Sequence, residues 1–424
     1  MENTPRGEPS AWRWVPSLYF SQGLPYIIVT GLAAVMYKNL QVSNAEITFY
    51  TGWLGFPWVI KPLWSPLVDR FRTKRFWIAS LQLVCGALLG SVALAVPAPD
   101  FFRLTLAAFW LLAFSSATHD IAADGFYLLA LPPPAQAAFV GVRSTFFRVA
   151  MIAGQGGLIW LVGRLEGLSG SLVQAWAWLF SIPAAFFVLA SLYHLLALPK
   201  PAGDHAVREN SRLVADFFSV FAAFFRKERI ATTLGFLLLY RFAEALVLPV
   251  VRLFLLDART AGGLGLTNDQ YSVIYGTVGV VALLLGGLLG GYAISRFGLR
   301  RMLWPMIIAM YLPNLAFIGL AATQTGNLPA IGATLAVEQF GYGFGFTAYL
   351  VYMMMIASGE HRTAHYAICT GFMALGLMLP GLPAGWLQQH LGYTGFFLGV
   401  CLATIPSFIA TALIKPDPAY GRKD

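Results

Sequence analysis

Residues 65–75 read SPLVDRFRTKR, and residues 291–301 read GYAISRFGLRR. Each stretch closes an apolar run and ends in a cluster of positive charge. The same offset sets Trp160 over Trp386. A chain that returns to one pattern at one offset is built of two related halves. The longest polar stretch, 199–228, lies between them. The expected organisation is therefore an N-terminal half over 1–198, a linker over 199–228 and a C-terminal half over 229–424.

The composition says what kind of solvent those halves face. The chain has 424 residues, of which 58% are hydrophobic and 11% charged. Its mean hydropathy is +0.68. Soluble domains carry about 25% charged residues. So few charges cannot cover a water-soluble globule, and lipid is the simplest alternative solvent. The net charge of +9 sits in short clusters between apolar runs. That is the pattern of cytoplasmic loops and argues against nucleic acid as a partner. Cys85, Cys369 and Cys401 all lie inside apolar runs, so neither a disulfide framework nor a metal site is expected.

A span needs about 20 apolar residues. Candidates fall at 14–36, 46–66, 77–97, 103–127, 138–163, 172–198, 229–256, 270–294, 302–322, 329–357, 364–387 and 394–414. Arg143 and Arg148 interrupt the fifth, and Pro380 and Pro383 the eleventh. The expected fold class is an all-α integral membrane protein of twelve transmembrane helices. Under that reading the basic clusters at 70–75, 226–229, 296–301 and the C-terminus share one side with Arg6, Arg13, Arg208 and Arg212. The opposite side receives only Lys38, Arg103, Arg164 and Arg259. Both termini are therefore expected in the cytoplasm.

Ionisable residues inside spans are costly and informative. Span four carries His119, Asp120 and Asp124. The two aspartates are four apart and share a helix face. Such a pair suits proton coupling, or else a structural salt bridge to Arg143, Arg148 or Arg70. Span seven carries Arg241 and Glu244 on one face. Span ten carries Glu338 and Gln339. Span one carries Gln22 and Tyr26 around the Gly23-Leu24-Pro25 break. Arg241 suits a solute carboxylate, or neutralisation by Glu244 or Glu338. In the loop at 65–75, Asp69 is suited to a helix N-terminus. Asp69 and Arg70 there form a latch or a topological anchor.

Two patterns carry no chemistry. Gly341-Tyr-Gly343-Phe-Gly345 lacks a following Gly-Lys-Ser/Thr and reads as close helix packing. His361 and His365 lack the glutamate of a zinc-protease helix. No nucleophile–base pair or metal triad appears, so no catalytic residues and no enzyme activity are expected.

The segments Tyr19–Pro25, Lys61–Arg70, Asp120–Asp124, Glu338–Gly345, Thr363–Ala367, Gly385-Trp386 and Leu391–Tyr393 together resemble the AmpG-type muropeptide permeases. These are a branch of the major facilitator superfamily that includes acetyl-CoA transporters. The second loop also resembles that superfamily's G-x-x-x-D-R-x-G-R-R motif, with Ser295 in place of Asp. The resemblance implies a bacterial inner-membrane importer of anhydromuropeptides driven by the proton gradient, with no cofactor. It implies that spans one, four, seven and ten line the solute path. Asp120, Asp124 and Glu338 match the family's carboxylates. Gln22, Tyr26, His119, Arg241, Glu244 and Gln339 are then substrate contacts, and Asp69, Arg70, Arg143 and Arg148 gating groups. The expected partners are a small-molecule substrate and the lipid bilayer, with the chain a monomer. An efflux antiporter, or an importer of an acyl-CoA or siderophore, remains open.

Overall fold

The computed structural model describes residues 10–42, 46–47, 50–51, 53–205, 213–266, 268–359, 361–381 and 383–422. Arg6, Arg208, Arg212 and Lys423 of the orientation argument, with part of the 199–228 stretch, lie outside the described residues. Among the described residues every regular element is helical. Nine helices there are long and apolar enough to cross a membrane: Ala11–Tyr37, Lys74–Ala95, Phe101–Ala130, Leu172–Ala197, Ile230–Leu256, Val273–Phe297, Leu299–Thr323, Arg362–Gly381 and Ala384–Leu413. They correspond to expected spans one, three, four, six to nine, eleven and twelve.

The other three expected spans are helical for legible reasons. Span ten is the continuous 29-residue helix Leu328–Ile356, whose Glu338, Gln339 and glycines dilute its apolar character. Span five runs as Pro133–Ile152, a wide turn Ala153–Gly157 and Leu158–Ser169. From Trp53 on, span two runs as Trp53–Gly55, Phe56–Ile60, Lys61–Leu63 and Ser65–Arg70. Pro57, Pro62 and Pro66 each sit in the first two positions of one piece. Proline lacks an N–H, so it starts a helix well and cannot continue one.

Helix ends follow local chemistry. The Thr73, Ser171 and Asn327 side chains accept from the backbone N–H of Phe76, Gln174 and Ala330. Each satisfies a donor that the first turn leaves orphaned. Span four ends at Leu131, which turns extended (φ −121°, ψ 137°) because Pro132 follows it. Lys227 caps the far end of span ten, its Nζ donating to the Ile356 and Ser358 carbonyls at 2.8 and 3.1 Å. Partial burial holds that amine below its ordinary range.

Contacts gather the chain into two compact units. One comprises Met1–Leu131, Arg143–Val220 and Gly359–Ala367. The other comprises Pro132–Val142, Phe221–Ser358 and Ile368–Asp424. In the first, Ile28, Leu89, Phe109, Trp176 and Phe180 belong to one buried apolar cluster. Gly23 allows span one to meet span five, since a Cβ there would lie 2.6 Å from the Phe147 carbonyl oxygen. In the second, span ten is wedged between two neighbours. A Cβ on Gly343 would lie 2.2 Å from the Leu283 carbonyl oxygen, and one on Gly341 would lie 1.9 Å from that of Ala309. The Gly341–Gly345 run is therefore close packing, as its sequence suggested. Leu94, Leu168 and Leu196, at least 79% exposed, point outward as lipid-facing residues do.

Span seven is discontinuous. Its halves Ile230–Leu239 and Phe242–Leu256 flank a break at Tyr240 and Arg241. The break frees carbonyls that lipid cannot satisfy. Hydroxyls answer three of them. Tyr349 donates to Leu237, Ser407 to Leu239 at 2.8 Å, and Tyr311 to Tyr240.

Candidate functional site

In the first unit the chemistry gathers on span four, Phe101–Ala130. Asp120 and Asp124 are a turn apart and 8% and 5% exposed. Each has its own cation. One Asp120 oxygen accepts from Lys61 Nζ and the other from Gln22 Nε2. Asp124 Oδ1 pairs with Arg143 at 3.0 Å and accepts from the Tyr19 hydroxyl at 3.0 Å. The repulsion expected of two neighbouring carboxylates is thus answered by two neighbouring cations.

Arg143 is boxed by aromatic rings. Its guanidinium carbon lies 4.6, 5.0 and 5.6 Å from the ring centres of Tyr19, Tyr127 and Tyr366. It also donates to the Tyr366 hydroxyl at 3.1 Å. Guanidinium suits this role because it is planar, weakly hydrated and always charged. Gly125 lets the start of span eleven approach span four; a Cβ there would meet Thr363 Oγ1 at 2.4 Å. That approach brings Tyr366 within reach of Arg143.

The other expected residues of this unit fall in three places. Tyr26 packs its ring on Trp58 and Phe147, centres 5.0 and 5.9 Å apart. His119 is 1% exposed and meets Gln82 at 3.1 Å, not a carboxylate. Gln82 in turn meets His194 at 2.9 Å, and His194 meets Ser17 at 3.0 Å. This buried polar chain ties spans one, three, four and six together. Asp69 pairs with Lys74 at 2.7 Å and accepts from the Ala364 N–H at 3.3 Å. It therefore stands at the N-terminus of Arg362–Gly381, where a helix dipole favours an anion. Arg70 and Arg148 are half-buried.

In the second unit Arg241 sits at the break in span seven. It grips Glu244 through two hydrogen bonds of 2.8 Å. It also donates to Tyr342 at 3.1 Å and lies 4.7 Å from the Phe346 ring centre. Of the two neutralising partners open to it, Glu244 is the one in contact. Glu338 is 7% exposed and accepts from Gln339 Nε2 at 2.8 Å. Among the described residues no cation pairs with it.

Sequence reasoning gave Lys61, Tyr19, Tyr127, Tyr342 and Tyr366 no role of their own. Lys61 had a signal: it is a lysine inside an apolar run. The tyrosines had none, because a tyrosine in a span is ordinary.

Charges buried on apolar helices mark a membrane protein with work to do inside the bilayer, and this protein is a multi-pass membrane transporter rather than an enzyme. It belongs to the Major Facilitator Superfamily, whose family profile matches residues 17–258. A similar relative is the anhydromuropeptide permease of Escherichia coli (strain K12), 24% identical over 410 residues, covering 96% of this chain and 80% of that one. The fold resembles the crystal structure of the transporter FucP in the outward conformation. The TM-score is 0.68 at 17% identity, over 95% of this chain and 98% of that one. A second crystal structure, of the E. coli fucose:proton symporter FucP, gives a TM-score of 0.68 at 16% identity, with the same coverage of both chains.

Proposed function

We propose that this protein imports an anhydromuropeptide or anhydro-sugar cell-wall fragment across the bacterial inner membrane, coupled to protons. The observation that carries the solute class is similarity along 96% of the chain to a permease named for anhydromuropeptides. The coupling rests on chemistry. Asp120, Asp124 and Glu338 are buried carboxylates on spanning helices. Such groups survive in membranes where they carry protons, ions or solutes.

In this reading two halves, 1–198 and 229–424, joined by 199–228, work as a monomer with both termini in the cytoplasm. The proton gradient is the energy source. Gln22, Tyr26, His119, Arg241, Glu244 and Gln339 shape the solute site. Asp69, Arg70, Arg143 and Arg148 secure one face, with Asp69 on the span-eleven N-terminus as the latch.

The test is uptake of labelled anhydro-disaccharide into proteoliposomes with an imposed proton gradient. Accumulation that collapses with a protonophore supports the reading. No uptake or exchange of that compound, together with extrusion of a drug, would make the protein an efflux antiporter. Thermal-shift binding of acyl-CoAs or siderophores alone would move the cargo to those classes.

A further inference from the structure

We propose that Lys61 is an anion-recognising residue of the transport site, held in reserve by Asp120, and that protonation of Asp120 frees its ammonium for a carboxylate on the solute. This inference rests on the proposed import reading and names what that solute must carry.

The two cation–carboxylate pairs on span four differ in kind. Arg143 is held by three aromatic rings, a tyrosine hydroxyl and Asp124. A group fixed from so many sides is a structural strut. Lys61 is paired with Asp120 and lies within electrostatic reach of Asp124. Its ammonium is a point charge on a flexible stem. Its backbone lies at a joint, between Ile60 (φ −92°, ψ 0°) and Pro62, where one short piece of span two gives way to the next.

Gln22 can follow Asp120 through the exchange. Its Nε2 donates to Asp120, while its buried amide oxygen has no hydrogen-bond partner among the described residues. An amide is both donor and acceptor. Turned over, the same side chain presents that oxygen to the O–H of a neutral Asp120. Lys61 is donor-only and loses its ionic attraction at the same step. The groups that face Asp120 are Lys61, Gln22, Tyr26 and Tyr366, with His119 and Asp124 on its own helix. Lys61 is the cation among them in contact with it.

The charges balance in both states. Empty, Lys61 and Asp120 cancel. Loaded, Asp120 holds a proton taken from water on the entry side, and Lys61 cancels the solute's carboxylate. The proton leaves to water on the exit side as Asp120 recaptures Lys61. Each carboxylate so bound therefore travels with one proton.

The experiment uses the purified full chain in two arms. Infrared difference spectra across pH should show a neutral-carboxyl C=O band that vanishes in Asp120→Asn and survives in Asp124→Asn. In proteoliposomes, uptake of an anhydromuramyl disaccharide with a free carboxylate is compared with uptake of its carboxamide. Lys61→Gln should raise the KM for the acid about tenfold or more relative to that for the carboxamide and so remove the preference for the acid, as loss of one charge-assisted contact predicts. Lys61→Arg should keep the preference for the acid. The double variant Lys61→Gln with Asp120→Asn, which buries no net charge, controls for folding. Equal losses for acid and carboxamide in a folded Lys61→Gln protein overturn the proposal, as does a band that follows Asp124. If the wild type carries neither compound, the anhydromuropeptide reading fails, and the infrared assignment alone decides the exchange between Lys61 and Asp120.

Discussion

Arg143 shows how one side chain can be tethered from several helices at once. It touches Asp124 on span four, Tyr19 on span one and Tyr366 on span eleven. Truncating one partner of a buried pair leaves the other charge stranded, at about 3–5 kcal/mol. Arg143→Ala should therefore lower the unfolding temperature in detergent far more than Tyr366→Phe, which removes one hydrogen bond worth about 0.5–1.5 kcal/mol. Equal shifts would show that the ion pair and the aromatic box together contribute no more than that one hydrogen bond. Glu338→Gln tests the other unit: it should keep the melting temperature and abolish proton-driven accumulation while leaving counterflow. The residue scale was the most legible in sequence wherever charge was involved. Asp120, Asp124, Arg241 and Glu244 stood out because lipid tolerates few charges. The spacing of three put Arg241 and Glu244 on one face, and their contact was one of the alternatives left open. Tyr366 did not stand out, because it lies 223 positions from the guanidinium it binds. No local rule reaches that far.

At the scale of elements, two devices set the shape of the second unit. Span ten uses glycines to bring backbones together, and span seven uses hydroxyls to mend a break. Gly343→Ala forces a methyl against the Leu283 carbonyl oxygen, and overpacking of this kind costs about 1–3 kcal/mol. Gly319→Ala meets no neighbouring atom within 4 Å, so it should be neutral or gain about 0.5–1 kcal/mol from helix propensity. Paired melting curves of the two variants check both signs. Tyr311→Phe should cost about 1–3 kcal/mol by leaving the Tyr240 carbonyl unanswered. The glycine run was readable as packing, but its alternating faces toward two different neighbours were not. The prolines of span two were visible, yet a hydropathy window averages over them. That is why an expected single span runs, from Trp53 on, as short pieces.

At the scale of the whole molecule, the expected twelve spans are consistent with nine long apolar helices among the described residues and three further helical stretches. Composition alone fixed the solvent, and the repeated loops suggested the family. The proposed orientation has a direct check: a C-terminal tag should be cleaved by added protease in inverted vesicles and protected in right-side-out cells. The units add something that no window could show. The short segment Pro132–Val142 belongs with Phe221–Ser358 and Ile368–Asp424. A Cβ on Gly141 would lie 2.4 Å from the Gly287 carbonyl oxygen, and one on Gly291 would lie 2.8 Å from that of Ala137. This small-residue face leaves the ribosome well before its partner helix exists. At synthesis rates of about 5–20 residues per second, the wait is roughly 7–30 s. During biogenesis that stripe must be shielded from wrong neighbours by lipid or by the insertion machinery. A bulky substitution at Gly141 should spare early membrane insertion and arrest the later maturation step, giving a full-length, inserted but protease-sensitive chain.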